Sequence, residues 1–509
     1  MSKKIVKSPT VYQLLIPIVF LISTLSINVY LFGNASLVGA HQISLILSCA
    51  VASVIAIRNG NSWNHLVESI IASIKSAKRS ILILLMIGAL TGSWVISGIV
   101  PSMVYYGLFI LTPSYFLVAA CIISGIVAVS TGSSWTTIAT IGIALLSIGK
   151  ILDIHEGLVA GAVISGAYFG DKLSPMSDTT NLASAVAGTD LFTHIKYMLL
   201  TTSPAFVITL LIYFVIGYSF DANSATDITI YQNAIEEKFN ITPFLFLVPL
   251  SVIVMIVRRV YPLPALFWGT LLGGLFAILF QIDLIFSVGA KSLIDSGNEH
   301  LISDMSFMRG ALFSYITLMD SFSREMVVTT SNAQINELLT TFGMSGMLNT
   351  VWLIICALAF GGAMDAGGFL KKATDIILSR VNSTSSLIVS TVGTCLFFNT
   401  TASDQYMSIV IPGKMFKKVY LKLGYKPEVL SRTIEDSGTV TSVLIPWNTC
   451  GATQSGVLGI ATMVYAPFCF FNILSPITSV VYALLNIKIR RIRGNNNEES
   501  QSSHGTILK

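Results

Sequence analysis

Gly166-Ala-Tyr-Phe-Gly-Asp-Lys-Leu-Ser-Pro-Met-Ser-Asp-Thr-Thr-Asn-Leu-Ala183 is the stretch on which the fold turns. It follows an apolar run at 157–165 and precedes another at 198–218. Two carboxylates, several hydroxyls, an amide and a proline thus stand where a membrane span should be apolar. Polar and ionisable groups at membrane depth are costly, and those retained there mark sites. The segment is therefore the first place to look for function.

The rest of the chain agrees with a membrane setting. Its 509 residues have a mean hydropathy of +0.76, and 11% are charged, against about 25% in soluble domains. Apolar segments fall at 11–32, 39–57, 80–100, 103–130, 137–149, 157–170, 197–218, 241–257, 262–282, 343–366, 384–399, 405–413 and 456–487. Several reach the length needed to cross a bilayer, and others are too short. This predicts an all-α polytopic membrane protein with about 10–12 transmembrane helices plus broken or re-entrant pieces. The net charge of +5 does not indicate nucleic acid, because the basic residues cluster in short loops and at the two ends. Cys49, Cys121, Cys356, Cys395, Cys450 and Cys469 contain no C-x-x-C pair and read as small core residues. The run at 11–32 reads as an uncleaved first span. The polar tail beyond Arg493 is expected to be disordered.

The chain divides into related halves. Gly92 and Gly98 match Gly362 and Gly368 at an offset of 270, and Leu173-x-Pro175-x-Ser177 matches Leu444-x-Pro446-x-Asn448 at 271. The expected organisation is a first repeat at 1–219, an extracellular linker at 220–240, a second repeat at 241–487 and a cytoplasmic tail at 488–509. Lys3, Lys4 and Lys7 place the N-terminus inside, and Arg258, Arg259, Lys371, Lys372, Lys488 and Arg490 mark later inside ends. Corresponding spans then run in opposite directions, the pattern of inverted repeats in secondary transporters, where substrate binds near the midplane at broken helices. Trp63, Leu66, Val67, Ile70, Ile71 and Ile74 form a helical stripe ending in Lys75, Lys78 and Arg79, which predicts a helix lying in the interface plane. Ile335, Leu338, Leu339 and Phe342 are its expected shorter equivalent.

Four polar clusters interrupt the apolar pattern: 131–136, 171–181, 399–404 and 436–449. They come as two pairs, one per half, as expected for one shared site. The oxygen-rich composition suits a small hard cation. The candidate ligands are Ser133, Ser134, Asp171, Ser174, Ser177, Asp178, Thr179, Asn181, Asp365, Asn399, Thr400, Ser403, Asp404, Asp436 and Asn448, with Na+ at Asp178 and Asp404. Ser174-Pro175 reads as a helix start, with Ser174 as its cap. A carboxylate that holds either sodium or protons is the simplest exchanger. Lys172 reads as a salt-bridge partner for an aspartate or a snorkelling residue. No Walker A loop, H-E-x-x-H or catalytic-triad pattern is present, so neither ATP-driven transport nor an enzyme is expected.

The stretch from Gly166 through Asp190, continuing to Lys196, resembles the NhaC family of sodium/proton antiporters. The 131–136 cluster and Pro446-Trp-Asn-Thr449 resemble it less distinctively. The resemblance implies the ion transporter superfamily architecture, with two inverted repeats, alternating access and elevator-like movement. It also implies Na+ and H+ as transported ions with no cofactor, a location in the cytoplasmic membrane among lipid, and a homodimer. The family includes members similar to malate/lactate antiporters. The expected function is Na+/H+ exchange. The alternative is a sodium-coupled carrier of a small organic solute such as a carboxylate or amino acid, and a channel or sensor is the third reading.

Overall fold

A computed structural model describes residues 7–32, 39–220, 228–300, 302, 309–378, 381 and 383–492. Lys3 and Lys4, part of the linker and the tail from Arg493 onward lie outside the described residues. Among the described residues the chain is helical, and its only β-type pairings are two isolated bridges, Met326 with Thr341 and Tyr425 with Arg491. Helices suit a chain in lipid because they satisfy their own backbone polar groups.

In the first half the helices are α1 (Val11–Phe32), α2 (Ala40–Arg58), α3 (Trp63–Ser76), α4 (Lys78–Ile96), α5 (Ile99–Ile110) and α6 (Pro113–Thr131). They continue as α7 (Ser134–Ile151), α8 (Glu156–Leu173), α9 (Asp178–Ala187) and α10 (Leu191–Tyr218). The apolar stretch 103–130, which reads as one segment, is two helices because Pro113 opens a new one at its first position. After α11 (Ile228–Glu236), the second half runs through α12 (Pro243–Val257), α13 (Pro262–Phe280), α14 (Ile282–Asp295), α15 (Arg309–Ser323), α16 (Ala333–Leu338) and α17 (Gly343–Ala366). Then come α18 (Phe369–Leu378), α19 (Thr384–Thr401), α20 (Gln405–Lys422), α21 (Pro427–Ile434), α22 (Thr449–Leu458), α23 (Thr462–Phe468) and α24 (Phe470–Leu484).

Eight described helices are long and apolar enough to span a bilayer, or nine if α23 and α24, bent by 54°, form one broken span. Two shorter apolar helices, α5 (Ile99–Ile110) and α12 (Pro243–Val257), stand beside them.

Several local features recur in the two halves at the 270–271 offset. α4 begins at Lys78 and the long part of α17 at Leu348, 270 positions on, and each has 19 residues. Gly98 and Gly368 both have positive φ, 79° and 69°. Gly132 and Ser403, 271 apart, share the left-handed region at 67° and 58°. Ser177 and Asn448 cap α9 and α22, which end at left-handed Gly188 and Gly459.

Packing follows the same relation. α4 lies against α13 and α15, and α17 against α2 and α3. Gly92 of α4 abuts the Ser321 backbone of α15, while its counterpart Gly362 abuts Ile70 of α3. The Ser69 hydroxyl donates to the Gly362 carbonyl at 3.0 Å. The helix in the 335–342 stripe spans Ala333–Leu338. Within 281–337, α14 and α15 pack against each other.

Candidate functional site

Both arms of the first-half junction break at hydroxyl caps. α7 starts after left-handed Gly132, and the Ser133 hydroxyl accepts from Thr136 N at 3.2 Å. Ser134 donates to Asp171 Oδ2 twice, from its backbone N at 2.9 Å and its hydroxyl at 2.7 Å. Asp171 lies two residues from the end of α8. Ser174 does not cap a helix start as its sequence suggests. It ends α8, its carbonyl accepts from Ser177 N, and Ser177 is the cap of α9. Pro175 therefore sits inside a turn. Asn181 is exposed, and its amide closes that turn on the carbonyls of Pro175 and Ser177 at 2.9 and 2.8 Å.

The second-half junction is knit by amides. Asp404 is buried and caps α20, accepting from Met407 N at 2.9 Å. Asn448 accepts from Cys450 N at 3.0 Å and donates to the Asn399 carbonyl at 3.0 Å. Asn399 in turn donates to the Gly438 carbonyl at 2.7 Å and to the Thr441 hydroxyl at 3.0 Å. The Ser403 carbonyl accepts from Thr449 N at 3.0 Å, and the Ser403 hydroxyl has no hydrogen-bond partner. Thr400 bonds its own helix at Leu396, and its carbonyl accepts from the Trp447 indole.

The halves meet where α8 reaches the helix continuing from α21. That helix carries a π-helical turn at Glu435–Thr439, a distortion often found at functional sites. Lys172 forms an ion pair with Asp436, and both are fully buried. Lys172 also donates to Ser475 at 3.1 Å, and Thr201 donates to Asp436 at 2.8 Å. Arg432 adds its Nε 3.8 Å from the same carboxylate. Asp436 is thus neutralised by the protein itself.

Its neighbour Glu435 is different. It is fully buried, and one oxygen accepts from the Thr179 hydroxyl at 3.1 Å. The other has no well-formed hydrogen bond, with the Thr439 hydroxyl beside it. Thr179 is 3.1 Å from the Ser177 hydroxyl, and Ser177 lies beside Asp171. Hydroxyls therefore link the carboxylates of Asp171 and Glu435. Tyr406 lies within electrostatic reach of Asp171, Asp178 and Asp404.

The sequence-predicted residues thus separate by their place in the fold. Ser133, Ser134, Asp171, Ser174, Ser177 and Thr179 belong to the first junction, and Asn399, Ser403, Asp404 and Asn448 to the second. Asp436 is in the ion pair. Asp178 stands exposed on the first turn of α9, and Asp365 is exposed at the end of α17. Sequence reasoning missed Glu435, although Glu435-Asp436 is a rare acidic pair within a buried helix. It also missed buried Arg432, whose guanidinium lies 4.8 Å over the Tyr197 ring.

A family model described as "Na+/H+ antiporter family" matches residues 166–487, beginning at the first residue of the decisive motif. The chain belongs to this family. The antiporter is 34% identical to the Na+/H+ antiporter NhaC of Alkalihalophilus pseudofirmus, over 88% of this chain and 91% of that protein. It is 33% identical to the malate-2H+/Na+-lactate antiporter of Bacillus subtilis, over 94% and 95%. It is also 33% identical to the arginine/ornithine antiporter ArcD of Halobacterium salinarum, over 95% and 93%. In this antiporter the family match covers α9 and α19 to α22 with the Glu435 turn, and the end of α8.

Proposed function

We propose that this antiporter exchanges Na+ for H+ by letting the two cations compete for the carboxylates of Asp171 and Glu435. The observation that carries this reading is the buried Glu435 carboxylate with one oxygen left without a well-formed bond. Buried polar atoms are nearly always satisfied, so such an oxygen suits a cation ligand. The Ser134, Ser177 and Thr179 hydroxyls supply further hard oxygens, and Asp404 and Ser403 supply the second half's contribution. A proton on Glu435 removes the charge that holds sodium, and sodium on the carboxylate disfavours the proton.

The matching offsets, caps and left-handed positions of the two halves support two repeats, and the distribution of basic residues supports their inversion. The same distribution supports cytoplasmic termini in the cell membrane. Alternating access then moves the junctions relative to the scaffold of α2, α3, α4, α13, α15 and α17. The relatives named for malate, lactate, arginine and ornithine favour a second reading, coupled carriage of a small organic solute.

Purified protein in proteoliposomes, with a pH-reporting dye and no organic solute, tests the proposal. A dye response that saturates with sodium and vanishes in Glu435→Gln is the expected result. No response from folded wild-type protein overturns it, and a response to malate, lactate or an amino acid would then establish the second reading.

A further inference from the structure

The repeat relation reaches two cavities that are far from equal. One is a cleft of about 360 Å³ lined by Asp365, Lys371, Thr374, Asp375, Phe398 and Met415, among others. The other is a space of about 10 Å³ lined by Val100, Pro101, Val104 and Ser147, with Ile335 and Leu339 also in its wall. Val100, Pro101 and Val104 stand 270 positions before Leu370, Lys371 and Thr374, which line the open cleft. Ser147 lies on α7, the counterpart of the α20 that carries Met415. The two spaces are therefore the same crevice of the repeat, formed once in each half between the scaffold and the junction helices.

They differ in chemistry as well as size. Asp365 and Asp375 have Val95 and Tyr105 at the corresponding first-half positions. The open cleft carries two carboxylates against one lysine, while the shut one is almost wholly apolar. Phe398, in the wall of the open cleft, is followed by Asn399, which is bonded to Gly438 and Asn448 at the second junction. The cleft thus runs from Lys371 to Phe398, one residue before the Asn399 of the second junction.

We propose that the Asp365 cleft is the aqueous route by which hydrated monovalent cations reach the site from the lysine-bearing face. Its counterpart at Val104 is the route to the opposite face, closed in this state. Excess carboxylate in a low-dielectric crevice raises the local cation concentration. Asp365 therefore acts in cation capture and not as a ligand at the junction. In the alternate state the Val104 crevice opens and the Asp365 crevice shuts. This inference rests on the exchange reading above.

The full chain carrying Thr374→Cys or Val104→Cys, in vesicles of known orientation, is treated with a membrane-impermeant cationic thiosulfonate, and exchange is then read by the dye. The wild type, with five buried cysteines and a half-buried Cys49, is the background. Thr374→Cys is expected to lose exchange severalfold when reagent is applied at the lysine-bearing face, and to be protected from the other. Val104→Cys is expected to react from the opposite face only, and only during turnover. Reagent that leaves an exchanging Thr374→Cys protein unmodified from the lysine-bearing face overturns the proposal. So does Val104→Cys reacting at rest. Absence of exchange in the unmodified wild type counts against the exchange reading instead. Should Thr374→Cys fail to fold, Asp365→Asn decides: the sodium KM is expected to rise about threefold or more, and an unchanged KM overturns the route.

Discussion

Glu435 and Asp436 are adjacent acids with opposite employment, and the difference lies in their partners. Asp436 is held by Lys172, Thr201 and Arg432, whereas Glu435 has the hydroxyls of Thr179 and Thr439 beside it and feels Lys172 only through space, without an ion pair. Removing one member of a buried ion pair leaves an uncompensated charge and costs about 3–5 kcal/mol. Asp436→Asn and Lys172→Met are therefore each expected to lower the thermal midpoint in detergent sharply. The double variant Lys172→Met/Asp436→Asn is expected to cost less than the sum of the two single losses, and strictly additive losses refute the pair's structural role. Glu435→Gln keeps an oxygen for the Thr179 hydroxyl, so it melts near the wild type while exchange vanishes. The sequence reading expects Na+ at Asp178, which makes Asp178→Asn a direct check. Its exposure on α9 now predicts slowed exchange, measured as a reduced but non-zero dye rate. Seen as sequence alone, any of these acids is a candidate, since composition does not say which one the fold pairs.

At the scale of elements, α6 and α8 form the tightest contact in the first half. Gly166 and Gly170 of α8 meet the carbonyls of Cys121 and Gly125 on α6, where an added Cβ would run into backbone. This is the small-residue packing of membrane helices. Gly166→Val cannot be absorbed by a side-chain shift, and it is expected to cost about 3 kcal/mol or more, read as a loss of folded protein on size exclusion. Ser403, at φ 58° where the repeat has Gly132, bears a left-handed cost of about 1–2 kcal/mol. Ser403→Gly is expected to melt at or above the wild type while its sodium KM rises. An unchanged KM would mean the Ser403 hydroxyl takes no part in the site. All four helix breaks were legible from polar clusters, glycine and proline. The cap in the first junction was not, because Ser174 and Ser177 are equally good cap residues, and the turn geometry around Pro175 selects the later one.

Over the whole molecule, the proposed competition at shared carboxylates predicts a pH dependence. Protons occupy the carboxylates as pH falls, so the apparent sodium KM rises toward low pH and falls toward high pH. A sodium KM independent of pH, measured in the proteoliposome assay, would show that the two ions use separate groups. The amphipathic helix α3 was legible in the sequence, but its packing was not. Gly362 meets Ile70 of α3 and Gly92 meets Ser321 of α15, contacts between residues distant in the chain.

The amino-acid sequence by itself determined the membrane class, the positions of the broken helices and the 270–271 offset between halves. Those properties follow from local hydropathy, from proline and glycine, and from counting. Only the tertiary structure decided which of the two neighbouring carboxylates is ion-paired. Lys172 comes to Asp436 from 264 positions away, and no local rule tells a buried helix which of two neighbouring acids will receive it.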